Sequence, residues 1–325
     1  MQHVTVLIVG ATGQLGSETA RQLVAAGCSV RALVRPTSNV AHLPEQVELS
    51  RGDLTDAISL EQACRGVQAV IATASALIPR AGETFARVED LGYRHLIAAC
   101  QRAAVEQFIY ISVPVTPWDD QVTTFRTKRM IEQRLFDSRV PYTIFRSALF
   151  MDVYLAVLGS TLPFRGAPAA SLRRPFWATR LAMLIIGRSI DLAGVAWVPG
   201  SGQSRHALIA IQDVASCMAR AVGEPRAMNA VFDVGGPQAL SWDQIVRVYA
   251  RVLGRRVRAV HLPRRLLRRA QLLLASRSPA ASNFLGVLWT VGGLDLAPTS
   301  EAAELFGVKP MTVEQFLRNK LRLPK

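Results

Sequence analysis

The chain has little that would tie it to an oxidising compartment, a metal or a membrane span. Its 325 residues include four cysteines, Cys28, Cys64, Cys100 and Cys217, at no paired spacing. That pattern fits small buried thiols in a reducing compartment and argues against a disulfide framework. Its five histidines are also scattered, so no His/Cys cluster proposes a metal site and none is expected. No stretch supplies the roughly 18 to 20 uninterrupted apolar residues of a spanning helix. The longest uncharged run, Ser278 to Leu294, is broken by Pro279, Asn283 and several glycines. The N-terminus lacks a basic n-region, and its apolar run, Val4 to Val9, is too short for the core of a secretory signal. The expectation is a cytoplasmic protein, with no tandem repeat and no low-complexity tract. Half of the residues are hydrophobic, enough for a large core.

Acid is missing too, but only in places. Between Val153 and Ile190 there is no Asp or Glu and there are five arginines; between Gln244 and Leu294 there is again none, with ten arginines. Those two stretches hold fifteen of the 38 basic residues, and the 23 that remain face 24 acids. The net charge of +14 therefore belongs to two surfaces and not to the whole fold.

What is present is concentrated at the start. An apolar run of strand length, His3 to Val9, meets Gly10-Ala-Thr-Gly13-Gln-Leu-Gly16, and a helix-period segment continues through Leu23. A dinucleotide pyrophosphate site requires that order. Gly10 lets the chain turn sharply, Gly13 lets backbone and phosphate approach, and Gly16 lets the new helix pack on the sheet. The helix's first N–H groups, with its dipole, then face the phosphates. Ser29 to Val34 reads as the second strand of a βαβ unit, and Arg35 follows it. An acid there would suit a free ribose 2′-hydroxyl, whereas an arginine suits a 2′-phosphate. No Asp or Glu occurs between Thr19 and Pro44, which favours NADP(H) over NAD.

Strands then alternate with helices. Val47 to Leu54, Gln68 to Ala74, Gln107 to Ser112 and Pro141 to Arg146 read as strands, Phe85 to Ala104 as a long helix and Thr123 to Ser138 as a basic amphipathic one. Ser59 and Gln62 have capping-box spacing. Near-continuous apolar strands between helices predict an α/β fold, a Rossmann-type doubly wound parallel sheet covered on both faces. Its ligand crevice lies beyond the carboxyl ends of the strands. Residues 1–150 are expected to form the NADP(H)-binding domain. Residues 151–325 are expected to form a smaller, irregular C-terminal lid for substrate or partner, with the chain free to cross back. In that half Phe176 to Gly187 reads as a helix, Arg205 to Ile211 as a strand, Asp213 as the cap of a helix through Val222, and Ala230 to Val234 as a strand. Ser241/Gln244 and Thr312/Gln315 each have capping-box spacing.

Taken together, the glycine turn, Ala32-Leu-Val-Arg35, Gly52-Asp53-Leu54, Phe108-Ile-Tyr-Ile-Ser112, Lys128 and Pro141-Tyr-Thr-Ile-Phe-Arg146 resemble an atypical, extended short-chain dehydrogenase/reductase of the NmrA-like group. Isoflavone-reductase-like enzymes, the NADPH-holding accessory subunit of respiratory complex I and photosystem II assembly factors are relatives. The resemblance is dense over about residues 1–150 and weak from 255 to 295. It implies NADP(H) across the sheet edge: Gly10, Thr12, Gly13, Gln14, Leu15 and Gly16 at the pyrophosphate, Arg35 on the 2′-phosphate, and Asp53 and Leu54 bracketing the adenine. Thr73, Ala74 and Ser75 would lie near the nicotinamide ribose, which Lys128 would bind.

The family's machinery is a tyrosine four residues before that lysine, with a serine or threonine after the fifth strand. Thr124 stands at the tyrosine position, and a threonine hydroxyl is too weak an acid to replace a phenol. Ser112 and Lys128 are the remaining catalytic candidates, Lys128 as a general base if desolvated or as a cofactor ligand alone, with an acid from the Ser147 to Tyr154 loop as the alternative. Three readings follow: an NADPH-dependent reductase of a small apolar carbonyl, enone or quinone-type substrate; a non-catalytic NADP(H) sensor or assembly factor acting on a protein partner; and a sugar-nucleotide epimerase or dehydratase, which the missing tyrosine disfavours. The Arg/Leu-rich stretches 172–188 and 262–277 suggest a peripheral contact with an anionic membrane at its inner face. Nucleic acid is disfavoured, because the arginines interleave with leucine and not with aromatic residues.

Overall fold

The computed structural model describes residues 4–75, 86–168, 187–297 and 301–322. The apolar runs form one parallel sheet of seven strands, in the order β3-β2-β1-β4-β5-β6-β9. These are β1 (Thr5–Val9), β2 (Ser29–Val34), β3 (Glu48–Arg51), β4 (Ala69–Ala72), β5 (Gln107–Ser112), β6 (Tyr142–Ser147) and β9 (Ala230–Val234). Val6, Leu7 and Ile8 are fully buried in succession, as a strand covered on both faces must be.

Helices α1 (Gln14–Ala25), α2 (Ala57–Cys64), α3 (Tyr93–Arg102) and α4 (Thr123–Asp137) belong to the first half. After β6 come α5 (Met151–Val157), α6 (Ser189–Ala193), β7 (Val195–Pro199), β8 (Arg205–His206) and α7 (Ile211–Arg220). Past β9 the chain forms β10 (Leu240–Ser241), α8 (Trp242–Leu253), β11 (Arg258–Leu262), α9 (Arg264–Leu274), α10 (Pro279–Val291), α11 (Glu301–Leu305) and α12 (Val313–Arg322). One sheet face packs under α1, α7 and α11; the other packs under α2, α3 and α4. A third core, centred on Trp242 and Tyr249, joins α5, α8, α10 and α12. Elements from after residue 150 pack against those before it: α7 packs on α1, and β9 pairs with β6, Thr143 opposite Ala230.

Register aligns the strand ends. Val9 faces Leu33 on one side and Ala72 on the other, and Val34 faces Arg51. Gly10, Arg35, Gly52 and Thr73 therefore leave the sheet side by side.

Several local expectations change. The cap of α2 is Asp56, whose carboxylate accepts from Ile58 N at 3.1 Å, while Ser59 lies inside the helix. The long helix expected over 85–104 is two pieces, a π-helical turn, Ala86–Gly92, and then α3. Asp213 sits within the first turn of α7, and its carboxylate accepts from Met311 N at 2.9 Å. Arg205 to Ile211 is strand only at Arg205–His206. Both other capping boxes form, at Ser241/Gln244 and Thr312/Gln315. The helix expected over Phe176 to Gly187 lies outside the described residues up to 186, as do residues 172–186 of the stretch 172–188. No helix among the described residues is long and apolar enough to cross a membrane.

Candidate functional site: a glycine-floored cleft and a buried lysine

Gly10 leaves β1 at φ +94°, a conformation that disfavours side chains. A Cβ there would stand 2.6 Å from Ala74 N and 2.8 Å from Thr73 Oγ1, so the turn and the end of β4 are in van der Waals contact. Gly16 presses the helix onto the turn, since its Cβ would lie 2.3 Å from the Gly10 carbonyl oxygen. Gly13 differs. Its backbone is extended, and a Cβ would meet only the Gly10 oxygen, at 3.3 Å. Gly13 N donates to Gly10 O at 3.0 Å and caps α1 with no side-chain acceptor and no acid in the first turn. The first N–H groups of α1 have no partner within the helix, so this end is open to an anion.

The cleft above the turn has an empty volume of ≈ 970 Å³, open solvent included. Of the residues expected around a dinucleotide, Gly10, Thr12, Gly13, Arg35, Asp53, Leu54, Thr73, Ala74 and Ser75 line it. Leu15 and Gly16 are buried and are not among its lining residues. Gln14 lines a different cleft beside Ser17, Glu18 and Arg21. Sequence reasoning missed Ser38, Thr55 and Val88, which also line the wall. Thr55 had a signal: it stands two residues after Asp53, the spacing at which an aspartate caps its own turn. Thr55 N and Oγ1 donate to Asp53 Oδ1 at 2.8 and 2.7 Å. Burial pushes the Asp53 carboxyl up, but those bonds, with Arg35 and Arg87 nearby, hold it below the usual carboxylate range. The cleft thus offers an anionic carboxylate, an arginine at the end of β2 and a helix N-terminus. Such a set can hold adenine, a ribose phosphate and a pyrophosphate.

The two catalytic candidates do not line this cleft. Ser112 is buried, and its hydroxyl accepts from Arg129 Nη2 at 3.3 Å. Arg129 is itself held by Val113 O, Glu132 and Asp119. Lys128 is 5% exposed, the only buried Lys or Arg among the described residues. Its ammonium donates to Ile111 O at 3.3 Å and stands 4.8 Å over the Tyr110 ring. Burial pulls its pKa below that of an ordinary lysine; Glu89 pushes it back up, Arg129 pulls it down, and Glu132 again raises it. Glu89, on the π-helical turn, is 2% exposed and accepts from the hydroxyl of Ser75 at 2.8 Å. Ser75 is a wall residue of the cleft, so one hydrogen bond separates that wall from a buried carboxylate acting on Lys128.

Thr124 is sealed. Its N–H donates to Asn283 Oδ1 at 2.8 Å and its hydroxyl accepts from Asn283 Nδ2 at 2.7 Å. Where a tyrosine would carry its phenol, this chain fastens α10 to the first turn of α4. No group of three or more His, Cys, Asp or Glu side chains able to hold a metal occurs among the described residues.

Comparison with known proteins adds family and fold. The NmrA-like family matches over residues 2–317. Photosystem II assembly factor Ycf39 of Cyanophora paradoxa is 33% identical over 150 residues, 46% of this chain and 46% of that protein; the match spans about half of each. A (4-alkanoyl-5-oxo-2,5-dihydrofuran-3-yl)methyl phosphate reductase of Streptomyces griseus is 28% identical over 281 residues, 86% of this chain and 84% of the enzyme. The NADPH complex of the quinone oxidoreductase QOR2 of Escherichia coli superposes with a TM-score of 0.70 at 20% identity, covering 98% of this chain and 100% of that one. At that identity the likeness is one of fold.

Proposed function

This chain belongs to the NmrA-like family, and on that premise we propose that it is an NADPH-dependent reductase of a small apolar carbonyl, enone or quinone-type acceptor. Lys128 carries the reading. Of the 38 basic residues only Lys128, Lys309, Lys320 and Lys325 are lysines. A chain that uses arginine for nearly every cation places a lysine at its one buried cationic position among the described residues. Arginine cannot give up its proton in a protein, whereas a desolvated lysine can.

In this reading the first-turn N–H groups of α1 bind the pyrophosphate, Arg35 binds the 2′-phosphate, and Asp53 with Leu54 holds the adenine. The reduced nicotinamide supplies a hydride when bound. Lys128 holds a proton at Nζ, Glu89 keeps that ammonium charged in a buried setting, and Ser75 links Glu89 to the cleft wall. Ser112 positions Arg129, and Tyr110 excludes water beneath the ammonium. The quinone-type acceptor draws support from the quinone oxidoreductase activity of the Escherichia coli neighbour.

A second reading is a cofactor-holding assembly factor. Thr124 favours it, being locked to Asn283 instead of presenting an acid, as does the partial match to Ycf39. NADPH oxidation with a panel of quinones, aldehydes and enones separates the two. The reductase reading expects turnover with at least one acceptor, and a fall of about 100-fold or more in kcat for Lys128→Met with NADPH affinity retained. Tight NADPH binding with no acceptor consumed, unaltered by Lys128→Met, would leave the assembly-factor reading.

A further inference from the structure

The helix α9 has two faces with different fates. Its inner face is fastened: Leu267 and Gln271 are buried, Gln271 Nε2 donates to Gln121 O at 2.9 Å, and Arg268 donates to Gln121 Oε1 at 2.7 Å. Arg264 and Arg268 lie over the Trp289 ring, at 5.1 and 4.6 Å. The outer face is bare. Leu266, Leu272 and Leu273 are 58, 59 and 67% exposed, on a helix of 11 residues about 16 Å long. Arg265, Arg269 and Arg277 are exposed around them. These arginines make no ion pair among the described residues, and the chain from 244 to 294 has no acid to offer them.

Burying the three leucines inside the fold would help stability, and the inner face shows that this helix already has its core contacts. An exposed helix face on which leucines alternate with guanidinium groups that make no ion pair among the described residues fits a partner that is apolar within and anionic at its surface. We propose that the outer face of α9 docks on an anionic lipid bilayer, with Leu266, Leu272 and Leu273 entering the acyl boundary and Arg265, Arg269 and Arg277 at the phosphates. The inference is independent of the reductase reading, since it uses no residue of the cleft or of the Lys128 cluster.

The test is flotation of the full chain with phosphatidylcholine vesicles, with and without about 30% phosphatidylglycerol. The expected result is recovery with the anionic vesicles alone, weakened as salt is raised. Leu272→Asp/Leu273→Asp should cut that partitioning at least tenfold while leaving the thermal midpoint and NADPH binding unchanged, because both side chains face solvent. Each of Arg265→Gln and Arg269→Gln should cut it about fivefold. Equal recovery on neutral and anionic vesicles would overturn the proposal. So would anionic binding that the leucine pair does not alter, since the overall positive charge would then account for it. Binding to soluble polyglutamate as tight as to vesicles, and indifferent to the leucines, would assign the face to an acidic polypeptide and also overturn it.

Discussion

Replacing Gly13 with alanine adds one methyl group at the mouth of the cleft. The backbone there, at φ −78° and ψ 168°, accepts any residue, so the substitution costs no strain of its own. Fixing a glycine that is already in an allowed conformation stabilises by about 0.4–1 kcal/mol through the unfolded chain. The single contact, Gly10 O at 3.3 Å, takes back a few tenths. The free protein should therefore unfold within about 1 kcal/mol of wild type. A bound pyrophosphate would have to share the methyl's space, and a 100-fold loss of affinity is about 2.8 kcal/mol. At NADPH one hundred times the wild-type Kd, the ligand adds about 2.7 kcal/mol to wild type but only about 0.4 kcal/mol to the variant. Gly16→Ala is the control. Its methyl would lie 2.3 Å from Gly10 O, so it should destabilise the free protein by about 1–3 kcal/mol. Urea unfolding with and without NADPH reads both effects. Ligand stabilisation of Gly13→Ala within about 0.5 kcal/mol of wild type would refute the placement of the phosphates at this turn.

Three further outcomes are expected. Arg35→Asp should weaken NADPH at least tenfold and leave NADH binding unchanged or tighter, as measured by fluorescence titration of each cofactor, because the substitution removes the cation proposed for the 2′-phosphate and supplies an acceptor for a free 2′-hydroxyl. Asn283→Ala should destabilise by about 2–4 kcal/mol in urea unfolding, since Thr124 N and Oγ1 lose buried partners; Thr124→Tyr should destabilise as well and add no turnover, because α10 fills the space. His206, fully buried and donating to Val291 O, is held down to about 4 by burial. Its stabilising neutral form is fully favoured above the ordinary histidine value and is lost as pH falls toward 4, at most about 3 kcal/mol. His206→Gln should flatten that slope. The comparison with wild type is the readout, because burial lifts Asp213 to about 6 and tilts stability the other way over part of the same range.

The nucleotide half of the fold was legible because its signals are local. Gly10, Gly13 and Gly16 stand within seven residues, and strand register then carries Arg35 and Thr73 to the same edge. The details that went astray were decided by competition or by distance. Ser59 has capping spacing, but Asp56 takes the cap, and the Ser59 hydroxyl donates instead to Asp53 O and Asp56 O. Thr124 reads only as a missing tyrosine until Asn283, 159 residues away, is seen to occupy it. Glu89 carried no motif at all; a π-helical turn delivers it to the interior beside Lys128. The outward leucines of α9 were visible as composition, but which of them face solvent depends on Gln271 and Trp289 fixing the helix rotation.

The pairing of β6 with β9 sets a timetable for making the protein. Tyr142 and Asn229, which meet at that junction, are 87 residues apart. A ribosome adding 5–20 residues per second needs roughly 4–17 s to reach the second from the first. Through that interval the outer edge of β6 has no neighbour, and an open strand edge invites pairing with another chain. Sequence changes that speed or slow translation between residues 148 and 229 should alter the yield of soluble protein without altering the stability of what folds.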